Sequence, residues 1–371
     1  MKADAVKRQR AVMRQHGWDA MIAISPENYA FTAGYIVPTQ PLLRWRHALS
    51  VVPAKGDPAL ICVDMEETTV RGRSPDAELR TWAEFGGNAM ETLAGLLSDM
   101  GCAEGTVGIE FNYLPAADYL DLCKRLPKGT IADSAPVFDE LRMIKTPDEI
   151  ELLRSLSRLA DKGIADAYGS VRAGSTEMDI ARALIGNIYA AGAENFTLLI
   201  VATGERSQLP NVGPTERKLQ AQDICRVEIF PIISGYHAGI CRTAAVEAPP
   251  PEAERIWANL TECKHLILDM IKPGASTRAI YEAYLAKFGE LGLPPIDFVG
   301  HGIGLHLHEE PYLGKFGDGP LEAGMVLGIE PLCYRTGFGF GMQNKDLVLV
   351  TETGSELLSD VTDTDTPITV G

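Results

Sequence analysis

Three short segments concentrate the side chains able to move protons or hold a ligand. Residues 223–243 read Asp-Ile-Cys-Arg-Val-Glu-Ile-Phe-Pro-Ile-Ile-Ser-Gly-Tyr-His-Ala-Gly-Ile-Cys-Arg-Thr, the pattern of a two-stranded ribbon turning near Ser234-Gly235. Side chains alternate across a strand, so His237, Gly239 and Cys241 share a face. Glu228 lies in the apolar partner strand, where a carboxylate is paired, functional or turned to water at an edge. The second segment is Gly300-His-Gly-Ile-Gly-Leu-His-Leu-His308, which holds three of the seven histidines. Glycines let the backbone approach a ligand, and clustered imidazoles supply acid–base or ligand chemistry near neutral pH. His306 also reads as a plain surface residue. The third segment ends in Val326-Leu-Gly-Ile-Glu-Pro331, placing Glu330 at the end of an apolar strand. Cys241 has two readings: a nucleophile if a histidine comes within reach, or, the favoured one, an inert buried filler.

Alternating strands and helices must position these segments. A helix is predicted over residues 6–16, strands over 19–25, 49–53 and 59–63, a helix over 89–100 capped by Asn88, and a strand over 106–110. This is an α/β layer of about 130 residues. Lys145-Thr-Pro-Asp-Glu149 is a helix start, with Thr146 as N-cap, Pro147 at N1 and Glu149 at N3. Helices follow at 147–170 and 177–191, the second capped by Thr176, then strands at 197–203, 223–234 and 236–246. Helices at 252–271 and 276–290 and strands at 325–330 and 346–351 repeat that order. This suggests an internal α+β duplication without clear sequence identity. The expected division is a first domain at 1–135, a linker at 136–146 and a second domain at 147–371.

Composition bounds the partners. The chain has 371 residues, 34 Lys+Arg and 50 Asp+Glu, a formal charge of −16. Two domains are the natural expectation at this length. The acidity argues against nucleic acid or an anionic membrane as partner, and no apolar run reaches the roughly 18–20 residues of a membrane helix. Residues 1–15 are charged and lack a leader's apolar core. Seven scattered cysteines without a Cys-x-x-Cys fit a reduced, cytoplasmic chain. A small-molecule substrate is expected.

On three stretches the chain resembles the creatinase/prolidase/aminopeptidase P family. They are Glu140-Leu-Arg-Met-Ile-Lys-Thr-Pro-Asp-Glu-Ile150, Gly300-His-Gly-Ile-Gly-Leu305 with His308, and Glu322-Ala-Gly-Met-Val-Leu-Gly-Ile-Glu-Pro331. The resemblance implies an α+β pita-bread catalytic domain with duplicated halves, preceded by a smaller α/β creatinase-type domain. It also implies where the family's peptidases hold two metal ions, on Asp, Asp, His, Glu and Glu. Those positions are Glu228, Gly239, His301, Glu330 and Lys345 here. Four acids become two acids and one base, so the local charge moves from −4 to −1. Two divalent ions need several carboxylates to neutralise them, so no cofactor is expected. One ion on Glu228, His301 and Glu330 has ligands enough, but the neighbouring lysine opposes it. Within the family, Phe230–Tyr236 and Arg242-Thr243 resemble the ribbon of metal-free creatinase. That enzyme's catalytic His aligns with Asn211, its guanidinium-binding Glu with Cys241, and its strand-end Glu with Glu330. Tyr236-His237 resembles metal-free ectoine hydrolase.

The resulting expectation is a metal-independent hydrolase of a C–N bond, in an amidine, cyclic amidine or amide, within a small polar zwitterion. His301 or His237 transfers the proton, and Glu228 and Glu330 orient it or bind a substrate cation. Lys345 either binds a substrate carboxylate or neutralises the two glutamates. His308, Tyr236, Asn211, Cys241, Arg44 and Arg46 complete the substrate contacts. The resemblance implies that the loop carrying Arg44 and Arg46 reaches a neighbouring subunit's site, hence a homodimer. Two alternatives stand beside this reading: an Xaa-Pro dipeptidase or aminopeptidase with a degraded metal site, and a catalytically silent pita-bread binding module.

Overall fold

In the computed structural model, which describes residues 1–371, the unit Met1–Arg142 is built on one mixed sheet. Its elements are α1 (Ala3–His16), β1 (Ala20–Ala23), α2 (Pro26–Ala33), β2 (Leu49–Pro53), β3 (Ala59–Val63), α3 (Glu67–Arg73), β4 (Glu78–Trp82), α4 (Ala89–Asp99), β5 (Thr106–Ile109), α5 (Ala116–Arg125), β6 (Thr130–Asp133) and α6 (Ala135–Met143). The strand order is β4-β3-β2-β1-β5-β6. Helices cover the sheet, so β1, β2 and β3 are buried along their whole length. That is why they read as continuous apolar runs rather than alternating ones. Asn88 caps α4 by accepting from the amides of Met90 and Glu91. Past the end of β5, the buried Glu110 carboxylate accepts from the amides of Ile24 and Ser25 at 2.6 and 3.2 Å and from Asn28 Nδ2 at 2.6 Å. Arg142 Nη1 donates to Asn28 Oδ1 at 2.7 Å. Most of the stretch expected as a linker, 136–146, is therefore helix α6, with Phe138 buried in this unit.

The unit Met143–Gly371 consists of two halves of the same design. The first contains α7 (Pro147–Gly169), α8 (Glu177–Ala190), β7 (Asn195–Thr203), β8 (Ile224–Ile233), β9 (Tyr236–His237) and β10 (Ile240–Val246). The second contains α9 (Pro251–Met270), α10 (Thr277–Glu290), β11 (Phe298–Gly302), β12 (Glu309–Gly314), β13 (Val326–Ile329), β14 (Leu332–Cys333), β15 (Met342–Gln343), β16 (Asp346–Val350) and β17 (Ser355–Leu357). A last strand, β18 (Ile368–Val370), returns to the first sheet, whose order is β18-β10-β8-β7 with β9 paired to β8. The second sheet runs β12-β11-β13-β16-β17. Capping boxes start α7 at Thr146/Glu149 and α8 at Thr176/Asp179.

The duplication extends to individual hydrogen bonds. Val171-Arg-Ala-Gly-Ser-Thr176 and Ile271-Lys-Pro-Gly-Ala-Ser276 join the helices of each pair. In the first, the Gly174 amide donates to the Leu219 carbonyl, and the Leu219 amide donates back to Ser175, both at 2.8 Å. In the second, Gly274, Leu321 and Ala275 repeat the arrangement, again at 2.8 Å. Gly174 and Gly274 have φ of +89° and +83°, the left-handed region that favours glycine. No helix of the chain is long and apolar enough to cross a membrane.

The halves meet through a two-way backbone bridge: the amides of Cys241 and Lys345 each donate to the other's carbonyl at 3.2 Å. Residues of β8 and β10 are thereby brought against those flanking β11, β13 and β16.

Candidate active site

Arg226, Glu228 and Phe230 alternate along β8 and so share one face. Glu228 meets three groups from the second half: His301 on β11, Glu330 just past β13, and Lys345 just before β16. All four side chains are buried. The Lys345 ammonium lies 3.3 Å from Glu228 Oε1, 3.4 Å from Glu330 Oε1 and 3.1 Å from His301 Nε2. The ammonium thus hydrogen-bonds the imidazole and forms ion pairs with both carboxylates. His301 Nδ1 lies 2.7 Å from its neighbour's carbonyl at Gly302. A carbonyl only accepts, so Nδ1 carries the proton and Nε2 is free to accept from Lys345. Glu330 Oε1 and His301 Nε2, 3.2 Å apart, are then two acceptors converging on one cation. The face of Phe230 closes the ammonium in from behind, 4.8 Å from its ring centre.

Charge is distributed unevenly over this cluster. Burial alone would raise the Glu330 pKa, but the Lys345 ammonium outweighs it and holds that carboxyl down at about 2. At Glu228 burial prevails over Lys345 and moves the pKa up. Lys345 is driven upward because its two carboxylates outweigh its burial. His308 stacks on His301 with ring centres 3.8 Å apart and planes 15° apart. Burial, reinforced by the Lys345 ammonium, lowers its pKa to about 3, so it is neutral near pH 7.

A second layer fixes Glu330. Gln343 Nε2 donates to Glu330 Oε2 at 3.0 Å, while Gln343 Oε1 accepts from Arg226 Nη1 at 3.1 Å and from the Tyr334 hydroxyl at 2.9 Å. The Arg226 guanidinium lies over the Tyr334 ring at 4.7 Å. Sequence reading missed Arg226, Gln343 and Tyr334. Only Arg226, two residues before Glu228 in an apolar strand, carried a signal.

Residues 151–352 match the model of metallopeptidase family M24, and residues 6–144 match the creatinase/prolidase N-terminal domain. The chain belongs to metallopeptidase family M24. An Xaa-Pro dipeptidase of Pyrococcus furiosus is 29% identical over 226 residues, 60% of this chain and 65% of that enzyme, just under two thirds of its length. A Bacillus subtilis protein named as the uncharacterized peptidase YqhT is 25% identical over 95% of this chain and 97% of its own. Among solved structures, dipeptidase PepE from Mycobacterium ulcerans superposes with a TM-score of 0.84 at 25% identity, covering 99% of this chain and 97% of that one. The Thermococcus sibiricus prolidase, at 22% identity, shares the fold over the full length of both chains with a TM-score of 0.87.

These findings overturn the main expectation drawn from sequence. The relatives are named as peptidases and dipeptidases, not as hydrolases of amidines or cyclic amidines, so the comparison favours the peptidase alternative.

The five M24 ligand positions do not fit a metal pair here. No group of three or more His, Cys, Asp or Glu side chains is arranged to hold an ion. A carboxylate at position 239 has no room, because a Cβ on Gly239 would lie 2.3 Å from Phe230 Cε1. A divalent ion about 3 Å from the Lys345 ammonium would be repelled by about 11 kcal/mol at an effective dielectric constant of about 20. Gly239→Ala is expected to cost about 1–3 kcal/mol through overpacking. Thermal unfolding should show most of that recovered in the double variant with Phe230→Leu.

Other sequence-predicted residues lie around this cluster or apart from it. Cys241 is buried, and burial, reinforced by Glu228, drives its thiol pKa far up, which suits a filler rather than a nucleophile. The Tyr236 hydroxyl donates to Glu149 on α7. The His237 amide donates to the Gly304 carbonyl at 2.7 Å, and its ring, lowered to about 4 by burial and then by His306, is neutral. Tyr236 thus ties the ribbon to α7, and His237 ties it to the glycine-rich loop. Asn211 is exposed, and no polar contact joins it to the cluster. In the first unit, Glu84 holds Arg46 at 2.7 and 3.0 Å. Arg44 is exposed and lines a cavity of about 930 Å³ there with Trp45, Trp82 and His47.

Proposed function

We propose that the protein hydrolyses short peptides, with Xaa-Pro dipeptides as its substrate class. The observation carrying this reading is the environment of Glu228. Its Oε1 faces Lys345, its Oε2 has no protein hydrogen-bond donor, and burial has raised its pKa above the ordinary glutamate value of 4.5. A carboxylate with one anchored and one free oxygen suits a general base. It takes a proton from water as the water oxygen bonds to the peptide carbonyl carbon. It then returns the proton to the leaving nitrogen as the C–N bond breaks, giving two amino acids. The Lys345 ammonium stabilises the carbonyl oxygen as it becomes negative. The names of the M24 relatives support the substrate class.

Release of proline from Ala-Pro, Leu-Pro and Met-Pro by purified protein is the test. Glu228→Gln should lower kcat/KM by about 100-fold, within the range general base catalysis supplies. Absence of proline release by the wild-type protein removes the reading. A second reading, a peptide-binding module without turnover, is favoured by the fact that the Lys345 ammonium is already hydrogen-bonded to His301 and ion-paired with both glutamates. Calorimetric binding of the same dipeptides without proline release selects it. A homodimer is also part of the proposal, following the family resemblance, and sedimentation equilibrium showing a monomer would exclude it.

A further inference from the structure

We infer that Lys345 is a built-in replacement for the family's metal ions, so that one side chain decides whether this site holds an ammonium or a divalent cation. Glu228, His301 and Glu330 converge on a single point, and at 3.1–3.4 Å that point is the Lys345 nitrogen. The surroundings accommodate the lysine specifically. Gly328 leaves room for its stem, since a Cβ there would lie 3.2 Å from Lys345 Cε, and Phe230 covers the ammonium from the side where Gly239 has no side chain. An ammonium carries a single charge, which matches a site holding two carboxylates better than two divalent ions do. Lysine in place of the carboxylate and phenylalanine over the glycine are therefore coupled features. The first fills one ion's place, and the second fills the space needed by the other ion's ligand.

Lys345→Glu removes the resident cation and adds a fourth ligand to Glu228, His301 and Glu330. Those four groups form an oxygen- and imidazole-rich set for one Mn²⁺, Co²⁺ or Zn²⁺ ion. The second position stays closed until Gly239→Asp is combined with Phe230→Ala.

The test is metal binding without substrate, which does not depend on any turnover. Metal-stripped wild-type protein and Lys345→Glu are titrated with MnCl₂ and CoCl₂ by calorimetry, and metal content is measured after dialysis. The wild-type protein should retain no stoichiometric metal. Lys345→Glu should bind one ion per chain, at least 100-fold more tightly than wild type, and lose it when His301→Ala is added. A wild-type chain that binds one ion per chain and loses it in His301→Ala overturns the inference. So does a folded Lys345→Glu chain that binds none. Should Lys345→Glu fail to fold, the wild-type titration with its His301→Ala control decides alone.

Discussion

Lys345→Met should destabilise the protein by about 3–5 kcal/mol, the usual cost of removing one partner from a buried ion pair, and leave little activity in the folded fraction. The lysine is 1% exposed, and its ammonium is the shared counter-ion of Glu228 and Glu330, themselves 5% and 4% exposed. Methionine keeps the stem's volume and its contact with Phe230, so packing changes little. What remains is two buried carboxylates with no cation between them. One of them must take up a proton, and Glu228, already raised, is the one to do so. The sign of the pH effect follows. A carboxyl whose folded pKa exceeds its unfolded value stabilises the fold below that value, and the benefit disappears as pH rises through the folded pKa. The deficit of Lys345→Met relative to wild type should therefore be smaller at pH 5.5 than at pH 8. Urea denaturation at both values measures it. An equal deficit at the two values would mean that the cost is packing, not charge.

This cluster illustrates what the amino-acid order reveals and what it hides. Three of the four central residues sit in motifs with strong local signatures: glycines around His301, an apolar strand ending at Glu330-Pro331, and the ribbon carrying Glu228. The helix starts at Thr146 and Thr176 were equally readable, because a capping box is local in sequence. The role of Lys345 stayed open between substrate binding and neutralisation, and its ion pairs with both Glu228 and Glu330 suit neutralisation. The Arg226–Gln343–Glu330 chain was illegible because its members are up to 117 residues apart and meet only when the two half-sheets do. The duplication was seen only as an order of elements. What Val171–Thr176 and Ile271–Ser276 share is a glycine at positive φ and a backbone hydrogen-bond pattern, which side-chain identity barely records. Edge strands β4 and β6 escaped for another reason: both are largely exposed or half-buried and lack a clear alternation of apolar residues.

Arg242→Leu should be about as costly as Lys345→Met, again about 3–5 kcal/mol, although it lies outside the cluster. Its guanidinium is 1% exposed and donates from Nε to Asp161 Oδ1 at 2.8 Å, while Nη2 faces Asp346 Oδ1 at 2.9 Å. Nη1 donates to the Lys345 carbonyl at 2.9 Å and to the Cys241 carbonyl at 3.0 Å. One side chain thus neutralises two buried acids and clamps the bridge that joins the two half-sheets. Asp161 Oδ2 also accepts from the amides of Val361 and Thr362, so the same ion pair anchors the C-terminal segment. Loss of the arginine leaves both aspartates without their cation and frees the backbone that aims Lys345. Two readouts separate these roles. Urea denaturation of Arg242→Leu, Asp161→Leu and the double variant should give a double-variant cost well below the sum of the singles, because the uncompensated charge at position 161 has gone. Asp346 still faces leucine in that double variant, so recovery should remain incomplete. Under conditions where Arg242→Leu is fully folded, proline release should still be impaired, because the Lys345 ammonium loses its registry with Glu228. Wild-type turnover in that folded variant would show that the clamp serves stability alone and that Lys345 is positioned by its own three contacts.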